Sequence, residues 1–188
     1  MTSPAEALDS LVRAWPHYVA ECRSVLASEL HYQALLYHCL RVHGKVPPEQ
    51  LGMNVKVWIA GVVSEDFRRR DLRKAERFGG GFELIPDVVI FGPEIGGDFR
   101  RRNRENTLRR MLLAVEVKAS EKERKRLGRG EIVGDVVKLE ALGIEVRHRD
   151  SDVLGAVVAV DTAPEAGERM TPEARRAADA AAASRDYS

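Results

Sequence analysis

Met111-Leu-Leu-Ala-Val-Glu-Val-Lys-Ala119 is an almost wholly apolar run with two ions near its end. Its length and its aliphatic character read as a central strand covered on both faces. Side chains alternate along a strand, so Leu112, Ala114, Glu116 and Lys118 share one face, and Met111, Leu113, Val115 and Val117 share the other. Carboxylates and ammonium groups are seldom buried unless they are paired, so Glu116 and Lys118 mark this strand as unusual.

Working outward, residues 82–91 form the preceding strand, stopped by Gly92-Pro93, with Asp87 inside Ile85-Pro-Asp-Val-Val-Ile-Phe91. If the two strands pair antiparallel through the loop 93–110, matching Gly92 with Met111 puts Asp87 opposite Glu116 and Ile85 opposite Lys118. The apolar limits of the two strands set this register without reference to function. It brings two carboxylates and an ammonium together.

The remaining pattern is mixed α/β. Residues 19–42 read as one amphipathic helix with Cys22, Val25, Leu26, Leu36 and Leu40 on a stripe, which Glu29 and Gln33 interrupt. The segment Gly44-Lys-Val-Pro-Pro-Glu-Gln-Leu-Gly52 ends it. Residues 54–60 alternate as a first strand, 65–77 form a charged helix or loop, and Gly79-Gly-Gly81 is a break. After the motif strand, 131–142 carries Ile132, Val136 and Leu139 at helical spacing, and 152–161 is another apolar strand. Strand, helix, strand in that order implies a right-handed parallel crossover. The expected organisation is one domain over 1–163 and a helical or flexible tail over 164–188.

Composition narrows the setting. The 188 residues carry 30 basic and 29 acidic side chains, but residues 100–130 hold twelve Lys and Arg against four Glu. Such a cationic strip fits a face that meets a polyanion, or else a solvated Arg-rich loop. Arg100, Arg101, Arg102 and Arg104 lie in the loop between the motif strands; Lys122, Arg124, Lys125 and Arg126 directly follow Lys118. Two cysteines, Cys22 and Cys39, match neither a disulfide scaffold nor a zinc spacing. With no membrane-length apolar run and no signal-peptide pattern, a soluble, cytoplasmic protein without a membrane partner is expected.

Paired carboxylates repel, and a protein that keeps them ionised supplies a cation. Two oxygen ligands plus water suit Mg²⁺ or Mn²⁺, with substrate phosphate in the remaining positions. Lys118 then orients or helps deprotonate the attacking water, or neutralises charge on the phosphate, and metal-assisted phosphodiester hydrolysis follows as the reaction class. Glu29 faces the same cluster, with Gln33 beside it. The competing readings are a cross-strand ion pair for Glu116 and Lys118, a cap or a bridge to a nearby Arg for Glu29, and a local pair with Asp135 for Lys138, which otherwise reaches a phosphate.

Pro86-Asp87 followed by Glu116-Val117-Lys118, behind a helix with an inward Glu29, resembles the PD-(D/E)XK nucleases, the restriction endonuclease-like proteins. The resemblance covers about residues 20–162 and implies a mixed four-stranded sheet flanked by helices, in the order helix, three strands, helix, strand (αβββαβ). Carried over by position, it implies Asp87, Glu116 and the Val117 carbonyl as metal ligands, Lys118 as the catalytic lysine and Glu29 as an auxiliary acid. DNA is the implied substrate, RNA less so, in bacterial repair, recombination or defence. A domain this small needs a second copy to cut both strands together, so a homodimer is expected. The rival is a catalytically inactive nucleic-acid-binding or assembly module of the same fold. A Gln-xxx-Tyr element after the core helix and the four cysteines of iron–sulfur relatives are both missing.

Overall fold

The computed structural model describes residues 1–69, 81–121 and 125–183. A four-stranded mixed sheet forms its centre, with helices on both faces. The strands are β1 (Leu51–Met53), β4 (Val88–Phe91), β5 (Met111–Ala119) and β6 (Leu154–Val160), in that spatial order. A smaller antiparallel pair, β2 (Val57–Ile59) and β3 (Phe82–Leu84), lies apart from it.

Over residues 88–90 the decisive register is the one expected from the sequence, but the pairs expected at its two ends, Gly92 with Met111 and Ile85 with Lys118, do not form. β4 and β5 run antiparallel with Val88, Val89 and Ile90 opposite Val115, Ala114 and Leu113. One step further the ladder slips, because Phe91 pairs with Met111 and leaves Leu112 as an extra residue. Met111 therefore packs with Ala114, while Leu112 joins the core containing Leu113 and Val115, which corrects the expected alternation at the start of the strand. Around Glu116 the alternation holds. β5 and β6 are parallel, joined by α4 (Arg129–Arg147), as the strand–helix–strand order requires.

Three expectations change. The single helix over 19–42 is two helices, α1 (Pro4–Ser24) and α2 (Glu29–Val42), and Leu26, expected on the buried stripe, is 67% exposed. The turn between them is held by the Tyr32 hydroxyl, which accepts from the Ala27 N–H and donates to the Val25 carbonyl, both at 3.1 Å. The expected strand over 82–91 breaks at Ile85-Pro86-Asp87, because proline has no N–H to give a ladder. Its first part pairs with β2 and only its second part enters the main sheet. The stretch 54–60 consequently does not supply the first strand of the main sheet; β1 does, from a segment read as a helix terminator.

α1 starts on Ser3, whose Oγ accepts the Glu6 N–H at 3.3 Å, with Pro4 at the first helical position. Ala7, Leu11, Ala14, Tyr18 and Cys22 form its buried stripe, packed with α2 against Val88, Ile90, Leu113, Val115 and Val117. On the opposite face α4 and the β2–β3 pair cover Val89, Phe91 and Ala114. The loop 93–110 contains a short helix, α3 (Arg104–Arg109). The tail forms α5 (Pro172–Ala183), which packs through Ala178, with Met170, on Leu127 and Ile132, so 164–183 is a docked segment. Both cysteines are free and buried. Among the described residues no helix is long and apolar enough to cross a membrane.

α1 and α2 approach closely at Gly44. A Cβ there would lie 2.8 Å from both the Leu40 and Ser10 carbonyl oxygens, which are backbone atoms and yield only if the helices part. Gly44→Ala is expected to destabilise by about 1–3 kcal/mol. Urea unfolding should show this as a lower midpoint with an unchanged slope.

Candidate active site

Each charged residue of the motif is placed by a local constraint. Pro86 ends β3 and turns the chain, so Asp87 enters at the bend before β4. Its carbonyl accepts the Asn54 N–H at 2.9 Å, and its Oδ2 accepts the Val117 N–H at 2.7 Å. β4 begins only at Val88, so the Asp87 side chain takes over the ladder position that a further β4 residue would fill. The N–H and C=O of one residue leave a strand toward the same neighbour, which turns the Val117 carbonyl toward Asp87 as well.

Glu116 stands on the next register position, 2% exposed, and its Oε1 lies 2.7 Å from the Lys138 Nζ. Lys118, at the end of β5, reaches both helical layers: its Nζ is 3.3 Å from Glu29 Oε1 at the start of α2, and 3.2 Å from Asp135 Oδ2 on α4. It also lies 3.4 Å from the Val117 carbonyl oxygen. The sequence reading thus brings Glu29, Asp87, Glu116 and Lys118 into one cluster, but the partner of Lys138 differs from expectation. Asp135 pairs with Lys118, and Lys138 pairs with Glu116. Asp135 is a member of the site that sequence reasoning named only as a local partner. The available signal was an ionic pair three residues apart inside the apolar stripe Ile132, Val136 and Leu139.

Burial dominates the electrostatics. It raises the Glu116 carboxyl to about 7, with Asp87 and Asp135 adding to the rise and Lys138 opposing it. Burial likewise raises Asp87, against the Val117 N–H and the two lysines, and raises Glu29 against Lys118. For Lys118, burial opposes the charge, but Asp135 and Glu29 outweigh it and the ammonium is held above its ordinary range. Four acids and two lysines leave the cluster at a formal charge of −2 when all are ionised.

That deficit, and the buried Glu116 carboxylate, fit a divalent cation. Glu116 Oε1 is fully buried and faces the Lys138 ammonium at 2.7 Å. Among the described residues no three His, Cys, Asp or Glu side chains converge as a metal cluster. A cation here would therefore rest on Asp87, Glu116, a backbone carbonyl and water, a donor set suited to Mg²⁺ or Mn²⁺.

Gln33 is buried but stands back from the acids. It accepts from the Asn54 Nδ2 at 3.4 Å and so braces the residue that holds the Asp87 carbonyl. The arginine loop lies with the β2–β3 pair: Arg101 and Arg104 each sit 5.5 Å from the Trp58 ring centre, and Arg101 also pairs with Glu83 at 2.6 Å. Arg100 grips the Asp98 carboxylate through three hydrogen bonds, two from its guanidinium and one from its backbone N–H, and Arg102 is exposed beside it. Lys125 pairs with Glu131 at 3.5 Å and Arg126 donates to the Gly167 carbonyl. These basic residues are more engaged with their own chain than their sequence suggests. Lys122 and Arg124 lie outside the described residues. Set against protein-family models, curated proteins and solved structures, the chain matches none.

Proposed function

We propose that the chain is a restriction endonuclease-like enzyme of the PD-(D/E)XK type that hydrolyses DNA phosphodiester bonds with Mg²⁺ or Mn²⁺. One observation carries the reading: the antiparallel register seats the buried Asp87 and Glu116 side by side, with Lys118 at the same strand end. The mixed sheet, with a helix before it and a helix crossing to β6, supports the same assignment.

Asp87, Glu116 and the Val117 carbonyl would hold the metal, which supplies Lewis-acid activation of the phosphate and a more acidic water. Lys118 acts as a fixed cation. Asp135 and Glu29 keep it protonated, so it donates to a phosphate oxygen or to the incoming water and offsets negative charge developing there. Glu29 holds the ammonium in position and, being raised by burial, is suited to take up a proton delivered through water. The basic loop around Arg100, Arg101, Arg102 and Arg104 is the proposed contact to flanking phosphates, with Lys122, Arg124, Lys125 and Arg126 as a nearer one. A twofold pair of chains would cut both strands.

The test is nicking of a supercoiled plasmid with Mg²⁺ or Mn²⁺. Cleavage should appear with metal, stop with a chelator, and be lost in Asp87→Asn and Lys118→Ala proteins that unfold like the parent. Metal-independent cleavage, or full activity in both variants, would remove the mechanism. Salt-sensitive DNA binding without nicking would favour the inactive module instead.

A further inference from the structure

We propose that Lys138 is a resident counter-ion, an ammonium that occupies the cation's place against Glu116 and yields it when a divalent ion binds. The inference rests on the metal site proposed above and concerns a residue that the motif does not contain.

Four observations carry it. Lys138 Nζ lies 2.7 Å from Oε1 of Glu116, the carboxylate that would help hold the cation. That oxygen is fully buried, and the ammonium is the partner that the folded chain supplies to it. A contact this short fills the position beside Oε1 that a second cation would need. Because the charge sits at the end of a flexible stem, it is a replaceable occupant of that position.

Next, Lys138 has somewhere to go. Asp135 lies one turn earlier on α4; its Oδ2 already receives Lys118 at 3.2 Å, and Lys138 would share that carboxylate with it. A lysine side chain is a flexible stem with a compact charge at its end, and neighbours three apart on a helix are within reach. Finally, the arrangement solves a problem that the bare acids pose. Glu116 and Asp87 are buried side by side, and without a cation their mutual repulsion opposes the ionised state that a metal requires. The ammonium opposes the resulting rise of the Glu116 carboxyl and holds the carboxylate in position until a divalent ion takes over its charge.

The consequence is opposite in sign to that of an ordinary supporting residue. A divalent ion entering beside a fixed positive charge is repelled, and it must also displace that charge from its own ligand. Removing the ammonium should therefore tighten metal binding. Lys138→Met keeps the length and apolar packing of the stem and deletes only the charge.

The experiment is calorimetric titration of the full chain with Mn²⁺ at about pH 8, above the value of about 7 to which burial raises Glu116. Lys138→Met is expected to bind Mn²⁺ at least about tenfold more tightly than the parent, and Lys138→Arg no more tightly than the parent. Equal or weaker binding by Lys138→Met overturns the counter-ion role and leaves the metal site standing; no binding by either protein overturns both. A second arm uses the parent alone. Acetylation read by peptide mass spectrometry should label Lys138 several-fold faster with saturating Mn²⁺ than without it. Unchanged labelling in a protein that binds Mn²⁺ overturns the role even if Lys138→Met does not fold.

Discussion

Glu116→Gln is expected to lose cleavage by about a thousandfold or more and at the same time to make the metal-free protein more stable above pH 7. The two effects have one cause. Glu116 is 2% exposed, and burial raises its carboxyl to about 7 from an ordinary value of 4.5. Below pH 4.5 the group is protonated in both the folded and unfolded chain and has no net effect on folding. Between 4.5 and 7 the unfolded chain has released the proton while the folded one retains it, so stability falls as pH rises. Once the pH passes 7, the full shift amounts to about 3 kcal/mol of lost stability.

Glutamine has the same shape and no proton to lose. It forgoes the ion pair with Lys138, so the net gain at about pH 8 should be about 1–3 kcal/mol. Thermal unfolding of parent and variant across this pH range checks it. The melting curves should converge near the acid end and separate with the variant higher at the alkaline end. A variant that is less stable than the parent at every pH would mean that the Lys138 pair outweighs the cost of burying the charge.

The second large effect lies away from the site, at Glu145. Its side chain is wholly buried on α4, and its Oε1 accepts the N–H groups of Val63 at 2.9 Å and Ser64 at 2.8 Å. Its other oxygen pairs with Arg149 at 3.0 Å, and Arg149 in turn donates to the Ala60 carbonyl at 2.6 Å. The clasp fastens the chain after β2 to the last turns of α4, the helix that carries Asp135 and Lys138. Glu145→Ala orphans the buried Ser64 N–H and the half-buried Val63 N–H and leaves the guanidinium without this carboxylate. The expected loss is about 3–5 kcal/mol, roughly 10 °C in melting temperature for a chain of this size. Glu145→Gln keeps the acceptor for Val63 and Ser64 and should lose distinctly less. Equal losses in the two variants would assign the effect to the charge alone.

The parts of this architecture that were legible in the sequence are those dictated by long apolar runs. Met111–Ala119 is a central strand because little in it tolerates water, and its register with Val88–Ile90 follows from where the apolar stretches of both strands stop. The position of Asp87 beside Glu116 comes directly from that register. Short elements were not legible. β1 is three residues long, and nothing in Leu51-Gly-Met53 separates it from a loop until Ile90, Val89 and Val88 stand opposite. Pro86 was legible as a residue without an N–H, yet its consequence, a strand divided between two sheets, depends on β2 being available to take Phe82–Leu84.

Within the site, the sequence shows which residues are charged but not how they pair. Lys138 and Asp135 are one turn apart on the same helix, a spacing that favours a local pair in an isolated helix. The folded chain sets against this a buried charge, Glu116, and a half-buried one, Lys118, on β5, each in need of an opposite partner, and the helix divides its ions between them. Tertiary desolvation outweighs a surface interaction of a few tenths of a kcal/mol. The arginines show the reverse error. A run dense in positive charge reads as free, whereas Asp98 and Glu83 sit within reach of Arg100 and Arg101.

The central proposition is that Asp87 and Glu116 share one divalent ion, and anomalous scattering from a crystal grown with Mn²⁺ tests it most directly. A single peak in contact with both carboxylates and the Val117 carbonyl, with Lys138 moved off Glu116, is the expected result. Mn²⁺ found only elsewhere on the molecule, with Lys138 still against Glu116, would contradict it.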